Sequence, residues 1–256
     1  MRILLIGDIH GALETLPERL ALMRSQFRIG AAICLGDFGF FKEVFSGLCP
    51  KAWRLPVPVH AIDGNHEDHA WIQAMQESGV VDEWRKKKNL IYQPRATVAN
   101  LGGSVVGFLG GALHVDRPQV MNVETEVSNA VLLKERQAAT TLFNKQKPEL
   151  IVTHSSPAGI GVGMRGDKSF RAGVEAYIIR AGYHPGPEDD CGETELAELW
   201  RSLHQKPKAW AFGHFHVSHE SRVGDTHFVC VPRFNENSIW PVVMWDTEAK
   251  EMIIIS

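Results

Sequence analysis

The sequence predicts an α/β fold, and three observations support this: short apolar runs that end in polar residues, helical patterns between the early runs, and hairpin patterns later in the chain. The chain has 256 residues, of which 44% are hydrophobic and 22% are charged. These values are typical of a globular chain with a sizeable core. They exclude disordered, collagen-like and coiled-coil structures.

Five apolar runs are predicted to be strands buried on both faces. Each is short and rich in Ile, Val, Leu, Ala or Phe, as strands of a parallel sheet are. They are residues 2–6, 31–35, 59–62, 150–153 and 209–212. An Asp, Asn or His follows each run, directly or within three residues. Every predicted strand therefore delivers a polar side chain at its carboxyl end.

Helical patterns separate the early runs. Leu13, Leu16, Leu20 and Met23 fall on one helical face, and residues 70–76 form a second short amphipathic stretch. Strand–helix–strand order predicts right-handed crossovers and a largely parallel sheet. Ligands of such sheets bind outside the carboxyl ends of the strands. We therefore expect the five polar strand ends to meet at one edge.

The later segments predict antiparallel pairs and further helices. The hairpin patterns are residues 97–101 with 105–109, 220–223 with 227–231, and 242–245 with 252–255. They would form a second sheet or the outer strands of a mixed one. Residues 131–146 and 193–204 are predicted helices. We expect one domain over residues 1–256, in which residues 157–192 are a candidate lid with a helix across 170–180.

Charge and composition limit the partners and the compartment. Lys and Arg number 27 against 30 Asp and Glu, a net charge of −3. No overall basic field attracts nucleic acid or membrane, although a local basic groove is compatible with this balance. The run Lys86 to Lys88 is interpreted as a solvated loop. Since there is no membrane-span pattern, no secretory h-region and no CxxC spacing, we expect a cytoplasmic protein.

Side chains at the predicted strand ends have the donor atoms of a metal site. They are Asp8, His10, Asp37, Asn65, His66, His154, His214 and His216. Carboxylate, amide and imidazole donors without thiolate favour Mn, Fe or Zn. The set is larger than one four-coordinate ion needs. We therefore expect two divalent metal ions, bridged by one carboxylate at a separation of about 3.5–4 Å.

The charge of such a centre indicates its substrate. Two dications bring about four positive charges, and Asp8, Asp37 and a bridging hydroxide remove about three. The remaining positive charge favours an anion, and a phosphate ester can span both ions. Without a cation, burying these carboxylates and imidazoles together is costly. The expected partner is a small phosphorylated substrate or a nucleotide.

The motifs that contain these residues resemble those of the calcineurin-like metallophosphoesterases. They are Gly7-Asp8-Ile9-His10-Gly11, Gly36-Asp37, Gly64-Asn65-His66-Glu67, Thr153-His154 and Gly213-His214-Phe215-His216. Each motif alone is weak, but all five in order across residues 7–216 are specific. The resemblance implies a four-layer αββα sandwich, with two mixed sheets flanked by helices. It also implies a metal-dependent phosphatase or phosphodiesterase.

The resemblance assigns each residue a role. One metal ion would be held by Asp8, His10, Asp37 and His216. The other would be held by Asp37, Asn65, His154 and His214, with Asp37 as the bridge. His66 would orient or protonate the leaving-group oxygen beside the substrate, next to Asn65. The nucleophile would be a bridging water, so no Ser or Cys nucleophile is needed.

The chain departs from well-defined subgroups of that family after the second motif. The phosphoprotein phosphatases and diadenosine tetraphosphate hydrolases carry Asp-Arg-Gly there, whereas Phe38-Gly39-Phe40-Phe41 follows Asp37. The phosphate-gripping arginine of those subgroups is missing from that place, and their specificities are not predicted. We expect Arg117 to be the phosphate-contacting cation. The phenylalanines are interpreted as a pocket wall rather than a platform for a base.

The expected activity is hydrolysis of phosphomonoesters or phosphodiesters. A nuclease or a cyclic-nucleotide phosphodiesterase is the alternative enzyme. Nucleic acid is not favoured as a substrate, because the net charge of −3 does not indicate a broad basic groove. The other alternative is a scaffold that kept the fold and lost catalysis. It is less favoured, because the set of ligand residues is complete.

Overall fold

A computed structural model describes residues 1–48, 53–113, 121–122, 127–160, 171–172, 174–180, 186, 190–235, 237 and 241–255. The strands are β1 Arg2–Ile6, β2 Ile29–Cys34, β3 Val59–Ala61, β4 Leu90–Tyr92, β5 Thr97–Leu101, β6 Ser104–Leu109, β7 Met121–Asn122, β8 Val127–Ser128, β9 Leu150–Thr153, β10 Ala209–Phe212, β11 His219–Val223, β12 Thr226–Cys230, β13 Val242–Asp246 and β14 Glu251–Ile255. The helices are α1 Leu16–Phe27, α2 His69–Glu77, α3 Val80–Lys88, α4 Leu133–Gln146 and α5 Thr194–Ser202. Val44–Leu48 and Val174–Ile179 form π-helical turns.

The long strands form two six-stranded mixed sheets. Sheet A has the order β14-β13-β1-β2-β3-β4, and sheet B has the order β11-β12-β10-β9-β6-β5. In sheet A, β1 to β4 are parallel and the pair β13–β14 is antiparallel. In sheet B, β6, β9, β10 and β12 are parallel, while β5 and β11 are antiparallel edges. The predicted hairpins therefore contribute both to a second sheet and to the outer strands of the first.

The core lies in three layers because strand residues alternate between the two faces. In β1, Ile3 and Leu5 pack between the sheets, whereas Leu4 and Ile6 pack towards α1. In β10, Ala211 lies between the sheets and Trp210 packs towards α5. The result is the predicted four-layer αββα sandwich, in which both sheets are covered by helices on their outer faces.

Helix α3 corrects one prediction. Lys86 to Lys88 form its last turn rather than a loop, and Asn89 ends the helix in the left-handed conformation at φ 57°. Cations in the last turn of a helix interact favourably with its exposed carbonyl groups. The lysine run therefore marks the end of a helix.

Most of the candidate lid at residues 157–192 cannot be compared with its prediction. Residues 161–170, 173, 181–185 and 187–189 lie outside the described residues. Within the predicted helix 170–180, Val174–Ile179 forms a π-helical turn. In the described part of the chain, no helix combines the length and the apolarity needed to cross a membrane.

Candidate metal centre

The loops that follow β1, β2, β3, β9 and β10 meet where the carboxyl ends of the two sheets adjoin. Hydrogen bonds join the loops across the sheets. The backbone N–H of His214 donates to Asp8 Oδ1 at 2.9 Å, and His154 Nδ1 donates to Leu35 O at 2.7 Å. Side chains from positions more than 200 residues apart in the sequence therefore face one another.

Three side chains form the first group. His216 Nε2 lies 3.0 Å from Asp8 Oδ2 and 3.1 Å from His10 Nε2. His10 Nε2 lies 3.9 Å from Asp8 Oδ2. All three ligand atoms are within 4.8 Å of one another. Atoms bound to one ion at about 2.0–2.2 Å have separations in this range, so the group can hold a single divalent cation.

The second group surrounds His154, which is wholly buried. Its Nε2 lies 3.0 Å from Asn65 Oδ1 and 3.5 Å from Asp37 Oδ1. Because Leu35 O can only accept a hydrogen bond, Nδ1 carries a proton and Nε2 is the atom that faces the centre. Asn65 Nδ2 is buried and has no hydrogen-bond partner. The amide is therefore held by its oxygen, which is the atom a metal binds.

Asp37 lies between the two groups. Its Oδ2 is 3.9 Å from His10 Nε2, and its Oδ1 is 3.5 Å from His154 Nε2. Oδ1 also accepts a hydrogen bond from the backbone N–H of His66 at 2.8 Å. One oxygen thus faces each group, which is the arrangement required of a bridging carboxylate.

His66 and His214 lie at the borders of the centre. The centroid of the His66 ring is 5.5 Å from that of His10, and the His214 ring is 5.0 Å from His154. His66 is partly exposed, whereas burial and the charge of His154 lower the pKa of His214 to about 3. His214 is therefore neutral at physiological pH, as an imidazole must be to bind a metal.

Unusual backbone conformations aim these side chains at one point. His10, Asp37, His214 and His216 all have positive φ, between 46° and 67°. Such conformations are sparsely populated by residues other than glycine, and they cluster at functional sites. A Cβ at Gly64 would lie 2.1 Å from Asp37 Oδ1. Only glycine therefore permits this approach of the third loop to the second.

The burial and the pKa shifts of these residues test whether the site is suited to binding a cation. Asp8 and Asp37 are each 1% exposed. Burial raises the pKa of Asp37, but the charge of His154 and the hydrogen bonds from His154 and the backbone N–H of His66 together outweigh it and hold the pKa well below its usual range. Burial lowers the pKa of His154, but Asp37 and Asp8 together raise it to about 10. A proton on His154 thus occupies a place that a metal cation would take, and the donor set fits divalent ions.

The comparison with protein families agrees with this geometry. The calcineurin-like phosphoesterase family model matches residues 1–218. The chain belongs to this family. Its metallophosphoesterase motifs lie wholly within the matched residues. The Asp and His side chains of the centre are residues that can bind a metal ion, as expected for a metal-dependent family.

Individual relatives of this chain are distant. The lariat debranching enzyme of Saccharomyces cerevisiae is 24% identical in an alignment 247 residues long, which covers 85% of this chain and 57% of the yeast enzyme. The chain thus spans little more than half the length of that relative. The protein TT1561 of Thermus thermophilus has a TM-score of 0.58 and 14% identity, covering 99% of this chain and 97% of that one. A dimetal phosphatase from Danio rerio has a TM-score of 0.54 and 13% identity, covering 100% and 98%. These two structures show the same fold.

Glu67 supports the candidate metal centre, although the motif alone did not indicate how. Its carboxylate accepts hydrogen bonds from the backbone N–H groups of Phe38, Gly39 and Phe40. These residues follow Asp37 directly. Glu67 therefore ties the loop of the third motif to the loop of the second.

A buried ion pair lies beside the third motif and was not predicted. Asp63, which is 1% exposed, accepts hydrogen bonds from Arg95 Nε at 2.8 Å and Nη2 at 2.7 Å. Arg95 also donates to Glu135 Oε2 at 3.0 Å, and His69 Nε2 donates to Gly64 O at 2.9 Å. The partners are far apart in the sequence, and no local pattern indicated their pairing.

Two further predictions concern the surroundings of the centre. Arg117 lies outside the described residues. Phe38 and Phe40 are wholly buried, and their rings stack with centroids 4.9 Å apart in the core beneath sheet A. The interpretation of these two residues as a pocket wall is wrong, because neither reaches the surface.

Proposed function

We propose that the protein is a metal-dependent phosphohydrolase that cleaves phosphomonoesters or phosphodiesters at the strand-end centre. One cation would be held by Asp8, His10, Asp37 and His216, and the other by Asp37, Asn65, His154 and His214. The observation that carries the proposal is the set of ligand side chains on either side of Asp37, of which Asp8 and His154 are buried and His216 is exposed. Family membership supports a phosphoester as the substrate.

The donor set supports Mn, Fe or Zn as the divalent ions. Each group combines imidazole nitrogen with carboxylate oxygen. Among the described residues, no cysteine belongs to either group. When bound, two such cations supply Lewis-acid activation of the attacking water and of the phosphoryl oxygens. With water as the nucleophile, no side chain of the protein would need to form a covalent intermediate.

The chain itself positions the substrate and handles the proton. Asn65 precedes His66, whose ring adjoins that of His10 at the border of the centre. His66 is partly exposed, so its ring would be accessible to an entering substrate. We assign it the protonation or stabilisation of the leaving-group oxygen. The backbone N–H of His66 meanwhile holds Asp37 Oδ1 in place.

A nuclease is the second candidate function. The match to a lariat debranching enzyme favours a branched or polymeric substrate over a small monoester. The overall charge of −3 does not add to that argument, since it provides no broad basic field. A cyclic-nucleotide phosphodiesterase uses the same chemistry and belongs in the same substrate panel.

Removal of the cations tests the proposal. The wild-type protein, purified without chelators, is analysed for Mn, Fe and Zn by mass spectrometry and assayed on p-nitrophenyl phosphate and bis(p-nitrophenyl) phosphate. We expect close to two ions per chain, loss of turnover after chelation, and recovery on addition of Mn²⁺. Full activity of metal-free protein would refute the proposal. A panel of 2′,3′- and 3′,5′-cyclic nucleotides, nucleotides and single-stranded DNA then separates the substrate classes.

A further inference from the structure

Arg233 lies beside the metal centre on a loop that the motifs do not include. The loop, residues 231–235, follows β12. Because β12 runs parallel to β10, the loop begins at the same edge as the ligand loops. Sequence reasoning missed it, since no Asp, Asn or His motif marks this strand end. The available signal was a single arginine after a predicted strand.

Backbone contacts fix the loop against the first motif. The N–H of Phe234 donates to Asp8 O at 3.0 Å, and the N–H of Val231 donates to Phe212 O at 2.8 Å. A Cβ at Gly7 would lie 2.2 Å from Pro232 O. The residues on both sides of Arg233 are therefore anchored, one of them to the backbone of a metal-ligand residue.

The side chain of Arg233 is exposed. Among the described residues, no hydrogen bond or ion pair reaches its guanidinium. An exposed cation thus lies on a loop whose next residue is hydrogen-bonded to the backbone of Asp8.

We infer that Arg233 binds a non-bridging phosphoryl oxygen of the substrate, an assignment that rests on the proposed function. A guanidinium presents a planar fork of N–H donors that matches phosphate, and such charge-assisted hydrogen bonds are among the strongest in proteins. The arginine that other subgroups carry after the second motif is absent here, where Phe38 follows Asp37. Arg233 supplies that function from a different loop.

Two variants and a matched control test this assignment. Arg233→Ala removes the charge, and Arg233→Lys keeps the charge but loses the fork. Arg222→Ala is the control, because Arg222 is an exposed arginine on β11, the strand that pairs with β12. It pairs with His227 near the amino end of β12, whereas residue 233 follows the carboxyl end. Arg222→Ala and Arg233→Ala each lower the net charge by one unit, and the two positions lie near opposite ends of β12.

Binding of inorganic phosphate gives a readout besides activity. Each protein is loaded with Mn²⁺, freed of excess cation, and titrated with inorganic phosphate by calorimetry. We expect Arg233→Ala to weaken phosphate binding about tenfold and Arg233→Lys to weaken it less. Arg222→Ala should stay within about twofold of the wild type, since exposed charges far from a ligand contribute little. KM for p-nitrophenyl phosphate should change in the same order.

The outcomes separate this inference from the proposed function. Equal phosphate affinity and equal KM in Arg233→Ala and Arg222→Ala would overturn the role of Arg233, while hydrolysis by both would leave the proposed function intact. Failure of the wild type to bind phosphate would also overturn it. Phosphate binding that depends on Arg233, in a protein that cleaves no phosphoester, would instead support the contact and contradict the proposed function.

Discussion

Two groups of buried carboxylates lie at the same edge of the molecule, and they are neutralised differently. Asp63 receives two N–H groups from the Arg95 guanidinium. Asp8 and Asp37 are equally buried, but among the described residues their ion pairs are with histidines alone. The first group carries its own permanent cation. The second is neutralised only when its imidazoles hold protons or when it binds metal.

This difference separates a structural ion pair from a binding site. Leaving a buried charge without a partner costs several kcal/mol. Arg95 removes that cost for Asp63 at every physiological pH, so no metal ion is required to neutralise this carboxylate. Asp8 and Asp37 have no such permanent cation among the described residues, and we therefore interpret their surroundings as a metal centre.

Substitution of the shared carboxylate should have the largest effect. Asp37→Asn keeps the shape of the side chain but removes the charge between the two ligand groups. We expect kcat on bis(p-nitrophenyl) phosphate with Mn²⁺ to fall by about a thousandfold or more. Circular dichroism should show a retained fold, and bound Mn²⁺ should fall below that of the wild type. An active variant with two bound ions would contradict the bridging role of Asp37.

Substitution at the structural pair should affect stability instead. Arg95→Ala leaves Asp63 buried without its cation, and we expect the free energy of unfolding to fall by about 3–5 kcal/mol. The loss should be the same with and without Mn²⁺, as measured by urea denaturation. Arg136→Ala is the matched control: it breaks the less buried pair of Arg136 with Glu195 and should cost about 1 kcal/mol or less. Equal losses of unfolding free energy in Arg95→Ala and Arg136→Ala would contradict the larger contribution that we expect from the buried Asp63–Arg95 pair.

The difference between the two groups also explains what the sequence could predict. The ligands of the centre lie directly after apolar runs, so strand periodicity places them at one edge. Asp63 also follows such a run, but its partner Arg95 comes 32 residues later, and no periodicity joins the two. The contacts of Glu67 and the position of Arg233 are similar cases. Both depend on how loops from different strands pack, which is tertiary information.

Removal of the imidazole at His66 should have a smaller effect that depends on the leaving group. His66→Ala should lower kcat/KM for alkyl phosphates by about a hundredfold, the usual contribution of a general acid. The loss should be much smaller for p-nitrophenyl esters, because a good leaving group needs little protonation. Steady-state kinetics on both substrate types measure the ratio. Equal losses would remove the acid assignment and leave His66 with a positioning role alone.

The smallest expected effect is a pH dependence of stability in metal-free protein. The pKa of His154 is about 10 against an ordinary 6.5, so its pairing with Asp37 stabilises the fold fully below about pH 6.5. This contribution is lost as the pH rises towards 10. The pKa of Asp37 is lowered from 3.8, so its contribution is present above that pH and is lost in acid. The His154–Asp37 pair should therefore contribute most to the stability of the metal-free protein between about pH 4 and pH 6.5.

Bound cations should reverse the alkaline part of this profile. A metal displaces the proton of His154, so cation affinity should rise with pH over the range in which the metal-free protein loses stability. The melting temperatures of the Mn²⁺-loaded and metal-free proteins should then diverge between about pH 6.5 and pH 9. The Asp63–Arg95 pair contributes nothing to this divergence, because neither partner titrates in that range. His154→Gln should abolish it, and a divergence that survives in this variant would mean that another group holds the exchangeable proton.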